Sequence, residues 1–549
     1  MSEGEISKRK PRMYNKKIAL VGGRVHTPFG MAEALLIEGG RVAEVGSAAS
    51  LRTEDAEVLN LKGRAVFPGF GDSHLHFMSW MESQELLYLK PCRSIVDIKA
   101  ALGRYIEKHP LPEGEWYRGI GWNHTFMERM PNRYDLDELS PRNPVALTRV
   151  CGHVVVINSA AVKMLGITPD TRAAGGVIEL DDDGSPNGIL CDTAIRYVDE
   201  SIPGLKNQDM LRLLEKYGPL AASFGLTSLH TEDMGMFGYD FRRLIDFYAS
   251  AEKGGKLPFR ARLKFSLPRR ELLLDFLSEG WRTGDGTPFC QIGSFKLLCD
   301  GSLGGRTARL RRDYADKPGE RGLAIHEQGE LNELVSIAHS SGMQVAVHAI
   351  GDGALDMCLD AFEAAQADAP GVVRHQIVHA QIADDGQLAR MKKLGVGAAI
   401  QPSFVPSDRD MADKRLGSGL ASRSYRWKTM LRKGIALSGG SDAPIESLRP
   451  LCGIHAAVTR QSQDGKPEGG WMPEEKLSVA EAFALYTWDN AWHGYNEKRR
   501  GEIVPGRDAD LVVLDEDPFL TPPSDLWKIG VAMTICGGRV TYGGDDIGY

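Results

Sequence analysis

Two histidines spaced i and i+2, His74 and His76 in GFGDSHLHF, are the first residues of this chain whose types and spacing could do chemistry. On an extended strand such a pair points to one face, so both imidazoles can reach a single cation such as zinc. An H-x-H pair also arises by chance. Three further donors sharpen the reading: His348 in MQVAVHAIGD, His379 in RHQIVHAQ and Asp442 in GIALSGGSDAP each close a short apolar run. Such runs read as strands, and the C-terminal rim of a parallel barrel is where reactive groups gather. Taken singly, His348 and His379 could be core histidines and Asp442 a helix N-cap.

The elements that must position these donors follow from the apolar pattern. Eight runs read as barrel strands, at 65–77, 225–233, 259–267, 292–301, 343–352, 374–381, 396–403 and 434–444. Helical patterns separate them, which is the signature of an α/β chain forming a (β/α)8 TIM-like barrel, here spanning 65–494. The first connection is far longer than one crossover requires, so 86–222 reads as an insertion forming a cap over the site. At both ends, short alternating bursts broken by glycine read as strands, and GGRV recurs at 22–25 and 537–540. Residues 1–64 and 495–549 therefore read as one small β-sandwich domain, with two unrelated hairpins as the alternative.

The chain resembles the amidohydrolase superfamily, and within it amidohydrolase family 3, the branch of N-substituted formamide deformylases and exoenzyme regulatory proteins. The resemblance covers nearly the whole chain. It rests on PGFGDSHLHF, KLLCDGSLGGRTA, VHAIGD, RHQIVHAQ, GSDAP and GRDADLVVLD in that order. It implies the barrel, the sandwich and metal-assisted hydrolysis, with His74, His76, His348, His379 and Asp442 as metal ligands. It also puts Lys296 where two-metal members carry a lysine carboxylated by CO2 that bridges the ions. A lysine facing cations would repel them as an ammonium, which favours the carbamate. The alternative is a Lys296–Asp300 pair in a one-metal site. The implied cofactor is thus a divalent metal, zinc by expectation, as two ions if Lys296 is carboxylated and otherwise one.

The implied reaction is cleavage of a non-peptide carbon–nitrogen bond of amide type by a metal-activated hydroxide, with Asp442 shuttling the proton. No G-x-S-x-G or H-E-x-x-H occurs to suggest another nucleophile or metal motif. The same barrel could serve a deaminase or an ester hydrolase, or, with ligands lost, a non-catalytic regulator; all six ligand positions hold competent residues. Arg306, on the glycine-rich loop DGSLGGRTA, is a candidate clamp for a substrate carboxylate or carbonyl, and His153 and Trp122 of the insertion are candidate pocket walls. His230 and His375 read as supporting or core histidines.

Composition bounds the partners. A net charge of -7 gives no basic excess to neutralise phosphates, which argues for a small-molecule substrate and against nucleic acid. No apolar run approaches the roughly 18 residues of a spanning helix, so no membrane partner is expected. Eight cysteines without a C-x-x-C pair fit a reducing cytoplasm. This superfamily often forms dimers, so the resemblance also admits a homodimer.

Overall fold

The computed structural model describes residues 17–544 apart from 151, 174, 203 and 372. The outermost parts of the expected sandwich, 1–16 and 545–549, lie outside the described residues. Eight strands form one parallel sheet in chain order: β1 (Phe70–Leu75), β2 (Leu226–Glu232), β3 (Arg260–Ser266), β4 (Cys290–Leu298), β5 (Val345–Ala349), β6 (Gln376–His379), β7 (Gly397–Ile400) and β8 (Leu437–Gly439). Nearly every residue of these strands is buried, as a sheet covered on both faces demands. The ring closes just beyond β8 and β1. There the Asp442 N–H donates to the His74 carbonyl and the His76 N–H to the Ala443 carbonyl, both at 2.8 Å. A (β/α)8 barrel is therefore the central architecture.

The first expected run, 65–77, splits in two. Ala65–Pro68 belongs to a different sheet, and β1 begins only at Phe70. Gly69 makes the step between them: a Cβ there would sit 2.3 Å from the Thr227 side chain. Only glycine lets the chain pass that close.

Both ends of the chain supply the remaining β-structure. One sheet runs Arg41–Gly46, Ala34–Glu38, Lys17–Val21, Ala56–Asn60; the other runs Arg539–Gly543, Val531–Cys536, Leu511–Leu514, Ala65–Pro68, Arg24–Thr27, Gly30–Ala32. Ile18, Leu20, Leu35 and Ile37 of the first meet Val66, Leu511, Val513 and Ile535 of the second in one core, giving a sandwich. The two GGRV phrases play equivalent parts, each leading into a strand of the second sheet.

Between β1 and β2 a six-stranded mixed sheet carries Leu87–Tyr88, Tyr117–Trp122, Val145–Arg149, Val154–Ile157, Gly176–Leu180 and Pro186–Asp192. It buries apolar cores of its own, one around Trp122, Leu147 and Val156 and another around Val155, Ile157 and Leu190. Helix Asn207–Ala222 lies inside the span read as insertion, yet it buries Met210, Leu213 and Leu214 in the barrel's core.

Candidate active site

His74 lies near the end of β1, and His76 immediately precedes the helix Phe77–Ser83. The His76 Nδ1–H donates to the Glu232 carbonyl at 2.9 Å, so in the neutral ring it is Nε2 that carries the lone pair. His74 Nε2 and His76 Nε2 lie 3.3 and 3.4 Å from the same oxygen, Asp442 Oδ1. The ligand atoms of His74, His76 and Asp442 all fall within 4.8 Å of one another. Three donors converging from two ends of the sheet fit a divalent cation.

The other expected ligands stand around this group. The His379 ring is 6.0 Å from that of His74, and the His348 ring 4.5 Å from that of His379. His379 Nδ1 meets Gln401 Oε1 at 2.7 Å, the outer contact that orients a ligating imidazole. Burial, with the nearby lysines and histidines, holds His74 and His348 well below the usual histidine range, and burial brings His379 down to about 4. Neutral imidazoles are what a metal needs. At His76 burial works the same way, but the carboxylates of Asp442 and Glu232 outweigh it and lift the pKa to about 10. The carboxylates that favour an imidazolium favour any cation at that point.

Lys296 is 2% exposed at the end of β4, its Nζ donating to the Leu297 carbonyl at 3.3 Å. Burial pushes its pKa down to about 8 against the pull of Glu232 and Asp442. Asp300 instead accepts backbone N–H bonds from Arg309, Ile350 and Gly351 at 2.8–3.1 Å. Two site residues hold positive φ without being glycine, His379 at 75° and Asp442 at 55°. Strain of this kind, on the order of 1–3 kcal/mol each, persists only where the surroundings fix it.

His348, His379 and Asp442 line a cavity of about 610 Å³, walled by Asn123, Arg149 and His153 of the insertion and by Ser302, Leu303 and Gly304 after β4. His153 lies against the site, its ring 6.0 Å from His348 and its Nδ1 3.0 Å from Asp192 Oδ1. Trp122 does not reach the cavity: its indole is fully buried in the insertion's core and donates to the Leu147 carbonyl at 2.7 Å. Arg306 does not either, because its guanidinium is held by both carboxylate oxygens of Asp316.

Three charged residues around the expected ligands went unnoticed in the sequence. Glu232 touches His76, Asp72 accepts the backbone N–H groups of His74 and Ser441, and Lys264 donates to the Ser73 carbonyl at 2.7 Å while lying 3.4 Å from His74 Nδ1. The available signal was a charge inside an otherwise buried strand or at its end.

Residues 57–542 match the amidohydrolase family. The chain belongs to that family. An amidohydrolase is a hydrolase, and the family implies a divalent metal at the site. Among relatives of this amidohydrolase, YtcJ of Bacillus subtilis (strain 168) is 36% identical over 536 residues, covering 95% of this chain and 98% of that one. The N-substituted formamide deformylase of Arthrobacter pascens is 28% identical over 534 residues, covering 93% and 95%. Among solved structures, a metal-dependent hydrolase from Pyrococcus horikoshii OT3 superposes with a TM-score of 0.74 at 28% identity, covering 92% of this chain and 99% of that one. Among the described residues no helix is long and apolar enough to cross a membrane.

Proposed function

We propose that this amidohydrolase cleaves a non-peptide carbon–nitrogen bond of amide type. His74, His76, Lys296 as its carbamate, His348, His379 and Asp442 are the ligands of two divalent ions, zinc by their donor chemistry. The observation that carries this reading is the convergence of His74, His76 and Asp442 within 4.8 Å at the edge of a substrate-sized cavity. A cation held there lowers the pKa of water from about 15.7 toward about 7 and polarises a carbonyl. Asp442 handles the proton. Both imidazoles lie against its Oδ1, so Oδ2 is the oxygen that takes the proton from the attacking water and passes it to the leaving nitrogen. Gln401 and Glu232 keep the His379 and His76 rings turned toward the site. A cytoplasmic setting agrees with the buried thiols of Cys92, Cys290, Cys299, Cys358, Cys452 and Cys536.

Metal analysis of the purified protein is expected to give about two ions per chain, with a carbamate carbon signal on Lys296 after labelling with 13C-bicarbonate. One ion and an unmodified lysine would remove the two-metal arrangement. Asp442→Asn should lower kcat by about 10²- to 10⁴-fold while most metal is retained, and near-normal turnover would refute the shuttle. Amine release from a panel of N-formyl amines, N-acyl amino acids and lactams, run beside matched esters, tests the scissile bond. Release of alcohol alone would overturn the carbon–nitrogen assignment.

A further inference from the structure

β3 brings three cations to one face. Arg260, Arg262 and Lys264 alternate along it, and that face is the barrel's interior, since Lys264 Nζ reaches the Ser73 carbonyl of β1 at 2.7 Å. Two of the three are answered. Arg260 is held by Asp510 at 2.7 Å with Asp508 at 3.5 Å, and Lys264 feels Asp72 and Asp442. Arg262 is 4% exposed, yet among the described residues neither its NH1 nor its NH2 group has a hydrogen-bond partner. The Tyr495 ring lies with its centroid 5.9 Å from the guanidinium carbon, but it supplies no negative charge. Burial pushes the Tyr495 pKa up, and its oxygen accepts from the Arg374 backbone N–H at 2.8 Å, so it stays a neutral phenol.

The surroundings add positive charge rather than cancel it. Arg500 also acts on Arg262, and the carboxylates of Arg500, Asp508 at 3.2 Å and Asp510 at 3.7 Å, are the same pair that Arg260 uses. Arg260, Arg262 and Arg500 are thus three buried arginines beside two buried aspartates. His230 stands next to Arg262 in register on β2, and burial together with Arg262, Lys264, His493 and Arg500 holds it well below the usual histidine range. No carboxylate is among those neighbours. A guanidinium keeps its proton even here, and a buried charge without a counter-charge is unfavourable. Water would satisfy the N–H groups but leave the charge uncancelled.

We propose that Arg262 holds a monoatomic anion of the halide class inside the barrel, one inward position of β3 away from Lys264. The enclosure sets the size: a guanidinium buried between packed strands can be reached by a single ion but not by an oxyanion with an organic group attached. This ion is structural, and its site does not depend on which bond the enzyme cuts. The direct test is diffraction from crystals of protein purified throughout in bromide salts. An anomalous bromide peak within contact of Arg262 NH1 or NH2 is expected; a water there, or no peak, would overturn the proposal. In solution, thermal melts are run at constant ionic strength with chloride replacing gluconate. The Tm of the unaltered protein should rise by about 2 °C for each hundredfold increase of chloride above its Kd. Arg262→Met removes the charge and should melt at a temperature independent of chloride, whereas Arg262→Lys keeps the charge and should retain a weaker dependence. Equal chloride dependence in the unaltered protein and Arg262→Met, or none in the unaltered protein, would overturn the site. Should Arg262→Met fail to fold, the bromide peak decides alone.

Discussion

His375 shows how a single proton is placed by its surroundings. Its Nδ1 accepts from the Val345 backbone N–H at 3.0 Å, so the ring's one hydrogen is on Nε2 and points to His339 Nδ1 at 2.8 Å. His339 in turn donates from Nε2 to the Ala369 carbonyl at 2.7 Å. Burial and His339 push the His375 pKa down to about 3, while the unfolded chain protonates it near about 6.5. The folded value is the lower one, so this contribution to stability is complete above about pH 6.5 and falls as the pH drops toward about 3. Urea melts from pH 7.5 to pH 4.5 should lose stability with a steeper slope in the unaltered protein than in His375→Phe, by up to about 1.4 kcal/mol per pH unit. Parallel slopes would refute it. At this scale the sequence was most readable where a residue type is rare in a strand: His74, His348 and His379 end apolar runs and show themselves. Arg149 gave no such sign, and Arg306 gave a false one, because a long side chain on a loop can turn to Asp316 as readily as to a cavity.

Between elements, the junction of β8 with β1 is the narrowest fit. Asp72 spans it, accepting from the backbone N–H groups of His74 and Ser441, and Gly440 leaves no space for a side chain: a Cβ would lie 2.7 Å from the His74 nitrogen and 2.9 Å from Asp72 Oδ1. Gly440→Ala should therefore move Asp442 away from the histidines and lower kcat/KM by about 10²-fold with metal content reduced, while the circular dichroism spectrum is kept. Full metal content and turnover in that variant would show that the strands have slack. All eight barrel strands were legible because most are short apolar runs between helical stretches; β3, with Arg260, Arg262 and Lys264, is wholly buried despite its charges. The break at Gly69 was not. Two strands separated by one residue make a single apolar run, and only the contact with Thr227 reveals that the chain changes sheet there.

Over the whole molecule, the closing motif GRDADLVVLD joins the sandwich to the barrel. Asp510 holds Arg260 of β3 through two hydrogen bonds, at 2.7 and 2.9 Å, and Asp508 lies 3.2 Å from Arg500. Arg260 and Asp510 are both almost completely buried, so Asp510→Ala removes two hydrogen bonds from a guanidinium that keeps only Asp508, at 3.5 Å, as a carboxylate neighbour, and should destabilise the fold by about 2–3 kcal/mol in urea titrations. A change below about 1 kcal/mol would mean the pair is not a joint. That the two termini build one sandwich was readable from the repeated GGRV; that the same segment reaches the barrel floor was not, because sequence shows no partner for an aspartate. The pairing of Asp442 with His74 across β8 and β1 also governs when the site can come into being. The histidines leave the ribosome early and the aspartate late, an interval of about 20–70 s at usual elongation rates. Until then the nascent chain carries an open sheet and lacks Asp442 of the proposed ligand set, so on that reading metal loading follows synthesis of the last barrel strand.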